Sequence, residues 1–160
     1  KVDCCPAAFA EALARAEAIF EATADEGLRR LKLITRSDPF MHNSWYANLP
    51  AKKRGARDRN RLFVHPDDLA GRGLAEGALA RVWNEHGAIE VEVAADAGLV
   101  PGVVALTHGW GNARTPGMRV AHGTPGVNAN ALLPIGPDSF EPLSSQAFMT
   151  GVPVELAPVA

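Results

Sequence analysis

The sequence predicts a mainly β protein: a compact barrel of short strands with one or two small helices, preceded by an N-terminal helix. Three observations predict it. Residues 6–22 are rich in Ala and Glu and carry their apolar side chains at helical spacing. From residue 31 onward the apolar stretches are short, and Gly, Pro and polar residues separate them. No internal repeat or linker divides the 160 residues, so one main domain is expected, residues 29–160, with residues 1–28 as a helical segment before it.

Each element has its own signal. Phe9, Leu13, Ala16 and Phe20 recur every three or four residues, and Pro6 suits a helix's first turn. Gly27 is the expected break. Residues 31–34 form a short strand, and a long polar loop with Pro39, Pro50 and Gly55 follows. Residues 61–64 are the next strand. Residues 66–72 form a helix of one or two turns, with Asp at its positive end and Gly73 to stop it. Residues 78–83 and 88–93 make a hairpin, its turn ending in Gly87; Ile89, Val91 and Val93 fall on one face, Glu90 and Glu92 on the other. Pro101-Gly102 opens a strand over 103–106. Residues 152–156 are expected as a terminal edge strand, because Pro153 cannot donate into a ladder.

Composition narrows the partners. A net charge of −2 and a pI near 6.2 announce neither nucleic acid nor a membrane surface. No apolar run approaches the ~20 residues of a spanning helix. The two cysteines, Cys4 and Cys5, are adjacent; they supply neither a disulfide framework nor a spaced metal quartet, and a reducing, cytoplasmic location is expected. A start at Lys1 is compatible with a fragment of a longer protein.

Residues 99–133 carry the chemistry. A strand ends abruptly in His108-Gly109-Trp110-Gly111, where the glycines let the main chain turn and approach a ligand. Asn128 and Asn130, two apart, would share one face of an extended segment, and their amides suit the edge of a planar heterocycle. The pattern points to a large polar cofactor. Blander readings stand beside it: His108 as a satisfied buried histidine, Trp110 as core or domain interface, the two asparagines as turn caps.

These residues resemble a known family. Pro66-Asp-Asp-Leu-Ala, Gly73, Gly77 and Gly87, then Pro101-Gly-Val-Val, His108-Gly-Trp-Gly and Asn128-x-Asn130, stand in the order found in the C-terminal dinucleotide-binding domain of molybdopterin oxidoreductases. That family includes dimethyl sulfoxide reductases, formate dehydrogenases and nitrate reductases. Residues 34–45 resemble its first cofactor loop. The resemblance implies a double-psi β-barrel, similar to aspartate decarboxylase. It also implies that the chain wraps part of a molybdopterin guanine dinucleotide, whose dithiolene holds molybdenum or tungsten in the full enzyme.

The expected contacts are then Thr35, Arg36, Asp38, His42, Asn43 and Ser44 in the first loop. His108, Gly109, Trp110, Gly111, Asn128 and Asn130 are expected from the second. No catalytic residue and no metal ligand is expected here. The other domains or subunits of the oxidoreductase are the expected partners. The family's iron–sulfur motif and metal-ligating residue belong elsewhere in a full protein, for which a periplasmic location also stays open. Such a chain could also be a separate small subunit of the enzyme. A self-processing decarboxylase on a related barrel needs a Gly-Ser bond, and the sequence has none. Six cations between Lys52 and Arg61 leave a non-enzymatic binding module as a competing reading, and within the run no aromatic interleaves them. A solvated or inter-domain loop is the bland reading of that run; contact with the cofactor's pyrophosphate comes next, and nucleic acid is not expected.

Overall fold

A computed structural model describes residues 2–26, 29–141 and 143–159. The helix α1 runs over Ala7–Glu26, one turn beyond the sequence expectation; the expected break at Gly27 lies outside the described residues. No side chain of α1 is buried, and Phe9, Leu13 and Phe20 face solvent. Glu26 ties its end to the barrel through Lys32 and Arg30.

Six strands close into a barrel: β1 Leu31–Arg36, β2 Leu62–Val64, β3 Leu79–Trp83, β4 Ala88–Ala95, β5 Val103–Thr107 and β6 Thr150–Pro158. Their order around the barrel is β1-β5-β2-β4-β3-β6. Two pairs, β1 with β5 and β2 with β4, are parallel; the other four are antiparallel. Alternation sets the inward face, so Leu31 and Leu33, Leu62 and Val64, and Val91 and Val93 fill one core. That core also takes Leu69 from the short helix α2, Pro66–Ala70, and Leu132 from a 3-10 turn over Ala129–Leu132.

One expectation fails here. β6 is not an edge strand: it pairs with β1 on one side and β3 on the other. Its prolines fit because each has only one strand neighbour. Pro153 pairs with Lys32 of β1, two residues before the β3 ladder begins at Glu155, and its carbonyl accepts from the side chains of Arg30 and Asn84. Pro158 pairs only with Ala80 of β3. A missing N–H therefore costs no ladder bond between two strands.

The long loop after β1 is not structureless. It turns through two 3-10 segments, Pro50–Lys52 and Gly55–Arg57, and buries Met41 and Ala47 in a second small core. Trp110 and Ala121, the latter from the helix α3 (Arg119–Gly123), complete that core. It thus joins the loop after β1 to the loop after β5.

Candidate functional site

Parallel pairing brings two chain exits together. β1 and β5 run side by side, with Thr35 opposite Leu106 and Arg36 opposite Thr107, so both strands release their loops at one mouth. The His108 N–H donates to the Arg36 carbonyl at 3.2 Å, extending the ladder by one residue. His108 Nε2 then meets Asn43 Oδ1 at 2.9 Å. With the amide oxygen as acceptor, Nε2 is the donor of this bond, and in a neutral ring that leaves Nδ1 as an acceptor.

Glycine makes the close approach possible. Gly109 has φ +88°, and a Cβ there would lie 1.8 Å from the Asn43 carbonyl oxygen. Gly111 has φ +106°, and its Cβ would lie 2.5 Å from that of Asn128. Both positions combine left-handed backbone with no room for a side chain. Asn43 and its neighbour His42 also adopt positive φ, at 60° and 45°. Asx-type bonding sets the first loop's start: Asp38 Oδ1 accepts from the Phe40 N–H at 2.8 Å.

Three buried side-chain atoms in this segment have no partner: His108 Nδ1, Trp110 Nε1 and Asn112 Nδ2. Two are N–H donors and one is a ring nitrogen, all within five residues. Burying such a group without a partner costs about 1–3 kcal/mol, so a cluster of three in one short segment calls for an explanation. Trp110 itself is 5% exposed. Its ring face is taken by Lys53, whose Nζ lies 3.3 Å from the ring centroid and 2.8 Å from Met41 Sδ. Burial pushes the Lys53 ammonium down to about 8, against the pull of the Asp38 and Asp58 carboxylates.

Asn60 clamps the site from behind and was not legible as a site residue. It is 5% exposed; its Nδ2 donates to the carbonyls of Thr107 and Val127, both at 3.0 Å, and its Oδ1 accepts from the Val127 N–H at 2.9 Å. One side chain thus fixes the end of β5 to the 125–128 segment. Gly126 passes so close that a Cβ would lie 2.6 Å from Asn60 Oδ1. A polar amide directly before an apolar strand was the available signal.

The expected residues fall into three groups. Asn43, His108, Gly109, Trp110, Gly111 and Asn128 come together around the two loops. Arg36 and Asp38 line an adjoining cleft of about 210 Å³, with Thr35 half-buried in the β1 ladder. His42, Ser44 and Asn130 are exposed on the loop surfaces. The extended face expected for Asn128 and Asn130 is not formed. Asn128 caps the 3-10 turn, its Oδ1 accepting the Asn130 N–H at 3.1 Å, because a local Asx bond outcompetes an unpaired strand. The basic run finds the aromatics it lacks in sequence: Lys52 meets Tyr46, Lys53 meets Trp110, and Arg57 meets Phe40.

Comparison with known proteins bears on the same segment. The family model described as Molydopterin dinucleotide binding domain matches residues 31–150. Biotin sulfoxide reductase of Cereibacter sphaeroides is 35% identical over 63 residues, 39% of this chain and 8% of that protein. Dimethyl sulfoxide reductase DmsA of Escherichia coli (strain K12) is 33% identical over 67 residues, 42% of this chain and 8% of that protein. The chain therefore spans under a tenth of the length of these two relatives. The solved structure of acetylene hydratase from Pelobacter acetylenicus superimposes with a TM-score of 0.68 at 17% identity, over 81% of this chain and 18% of that one; this likeness shows the fold.

Proposed function

The chain belongs to the molybdopterin dinucleotide-binding domain family, and from that premise we propose that it holds part of a molybdopterin guanine dinucleotide as one domain of a molybdenum- or tungsten-dependent oxidoreductase. One observation carries the reading: the unpartnered polar atoms of His108, Trp110 and Asn112 cluster on the loop that the family match covers. An acceptor and two donors on one short segment fit a pterin edge, which itself presents both. When bound, the cofactor supplies the dithiolene that carries the redox metal. The metal's protein ligand is assigned, in this reading, to another domain of the full enzyme.

The chain's own residues bind, orient and exclude water. Asn43 and Asn60 fix the two loops, His108 Nδ1 offers an acceptor, and Trp110 Nε1 and Asn112 Nδ2 offer donors. Hydrogen bonds from such fixed groups tune a cofactor's electronics without taking part in bond making. The remaining domains of a longer enzyme are the proposed partners. We also propose a reducing, cytoplasmic location on the cysteine usage alone, Cys4 and Cys5 being exposed thiols.

Anaerobic mixing of the chain with cofactor released from a molybdenum enzyme tests the reading. Co-elution of guanine absorbance and pterin fluorescence with the protein is expected. Trp110→Phe and His108→Ala should each reduce the retained cofactor several-fold. No co-elution, or retention by both variants equal to that of the wild type, would overturn it.

A further inference from the structure

The helix α1 has no part in the proposed cofactor site, and the family match begins after it, at residue 31. Its residues Phe9, Leu13, Ala16 and Phe20 follow one another at three- and four-residue spacing and form one apolar stripe. That stripe does not face the barrel. The half-buried positions of α1 are Ala12, Arg15 and Glu26; Arg15 lies over the Phe148 ring, and Glu26 pairs with Lys32 and Arg30. Leu13 is 66% exposed and Phe20 73%. Over its first half the stripe becomes the wall of a groove. Phe9, Ala12, Leu13 and Ala16 line it together with Glu141 and Leu143, around a volume of about 470 Å³.

Both rims of the groove are acidic. On the helix surface Glu17 neighbours Leu13 and Phe20, four and three residues away, and Glu21 and Asp25 continue the same exposed edge. Among the described residues no cation pairs with these three carboxylates. Like charges at this spacing oppose a helix, and they crowd its C-terminal half, where the dipole favours cations; the last turn holds no basic residue. Glu141 forms the other rim, its two oxygens accepting from the Leu143 N–H at 3.0 Å and the Ser144 N–H at 2.6 Å. The Ser145 N–H goes to the Glu141 carbonyl, and the Glu141 N–H to the Gln146 carbonyl. This turn and α1 thus spend their backbone groups internally and offer a strand no edge. An occupant must satisfy its own backbone, as a helix does.

We propose that the groove between α1 and the 141–143 turn is a docking site for a partner protein's basic amphipathic helix. Its apolar face covers Phe9 and Leu13, and its lysines or arginines lie along Glu17, Glu21 and Glu141. Charge selects this occupant. A second copy of α1 would set the same acids against one another, and nucleic acid or an anionic lipid surface is repelled. The inference is independent of the cofactor reading, since none of these residues belongs to the two cofactor loops.

Fluorescence anisotropy of a labelled Leu/Lys peptide, about 18 residues with all leucines on one helical face, tests the groove against the full chain. Saturable binding is expected, and a matched Leu/Glu peptide should not bind. Leu13→Gln and Phe9→Gln should each weaken binding about tenfold. Glu17→Gln combined with Glu21→Gln should weaken it several-fold and flatten its salt dependence. Glu76→Gln removes an exposed acid outside the groove and should change binding less than about twofold. Unchanged helix content by circular dichroism separates lost docking from a lost helix, and the two apolar variants check each other. Absence of saturable binding, equal binding of the Leu/Glu peptide, or binding indifferent to both Leu13→Gln and Phe9→Gln overturns the site. Sedimentation equilibrium of the chain alone supplies the last outcome: self-association that Leu13→Gln abolishes would give the groove to a second copy and overturn the assignment.

Discussion

Replacing Asn60 by Asp changes one donor group to an acceptor at nearly constant volume. The Asn60 Nδ2 faces two carbonyl oxygens, of Thr107 and Val127, at 3.0 Å each. Asn60→Asp loses both donated bonds, about 1 kcal/mol apiece, and sets a desolvated carboxylate against two carbonyl dipoles. Together these should cost about 3–5 kcal/mol at neutral pH, out of the ~5–15 kcal/mol that holds a domain folded. For a chain of this length the melting temperature should fall by about 10 °C. The sign of the pH dependence follows from burial. The introduced carboxyl has its native pKa raised above the unfolded ~3.9, so the native state holds the proton more tightly. The variant's deficit should therefore be smallest below about pH 4, where the neutral acid donates one bond back, and should grow as pH rises through the native pKa. Asn60→Ala should be destabilised too, but with no such pH term. Urea unfolding of wild type and both variants at about pH 4, 5.5 and 7 measures this. A gap under about 1 kcal/mol at neutral pH, or one that does not vary with pH, would refute the clamp.

Four other outcomes are expected. Gly109→Ala should cost about 2–5 kcal/mol in denaturant unfolding, from a left-handed backbone plus a clash with the Asn43 carbonyl; a loss under about 1 kcal/mol would mean the loops are not packed as described. Lys53→Met should be near neutral at pH 7, since relieved desolvation offsets the lost contact with Trp110. A native Lys pKa of about 8 against 10.5 unfolded means the wild type should gain stability relative to Lys53→Met as pH rises from about 8 to 10.5; full burial would make this ~3 kcal/mol, and partial exposure reduces it to about 1, read from unfolding curves at the two ends of that range. Trp110→Phe should leave the melting point within a few degrees, because Nε1 makes no bond, while lowering cofactor retention in the co-elution assay. Deleting residues 1–25 should shift the barrel's thermal transition by only a few degrees, since α1 buries no side chain; a large drop in calorimetry would make the helix part of the domain.

Period and punctuation made much of the barrel legible. Alternation at Ile89, Val91 and Val93 placed β4, and Gly87 placed its hairpin with β3. The His108-Gly-Trp-Gly stretch was read as a binding loop because its glycines let the main chain turn and approach a ligand; in the structure Trp110 lies in the second small core, and three unpartnered polar atoms fall within five residues of the same segment. Asn128 and Asn130 were misread as an extended pair, since period alone cannot weigh an Asx cap against a strand. Asn60 went unnoticed as a site residue, and Lys53 was seen only as one cation of the basic run, because the groups that define their roles lie far away in the chain. Their partners are 47 and 67 residues away for Asn60, and Trp110 lies 57 positions from Lys53.

The sequence by itself determined the helix, the short strands, the turn glycines and the family, all properties carried by neighbours a few residues apart. Tertiary structure decided which strands pair, that β6 closes the barrel between β1 and β3, and that parallel β1 and β5 open onto one mouth. It also decided which cations of the basic run rest on aromatic rings. The physical reason is range: backbone propensity acts over a turn or a pleat, whereas a buried amide or a stacked guanidinium is defined only by the distant groups folded against it.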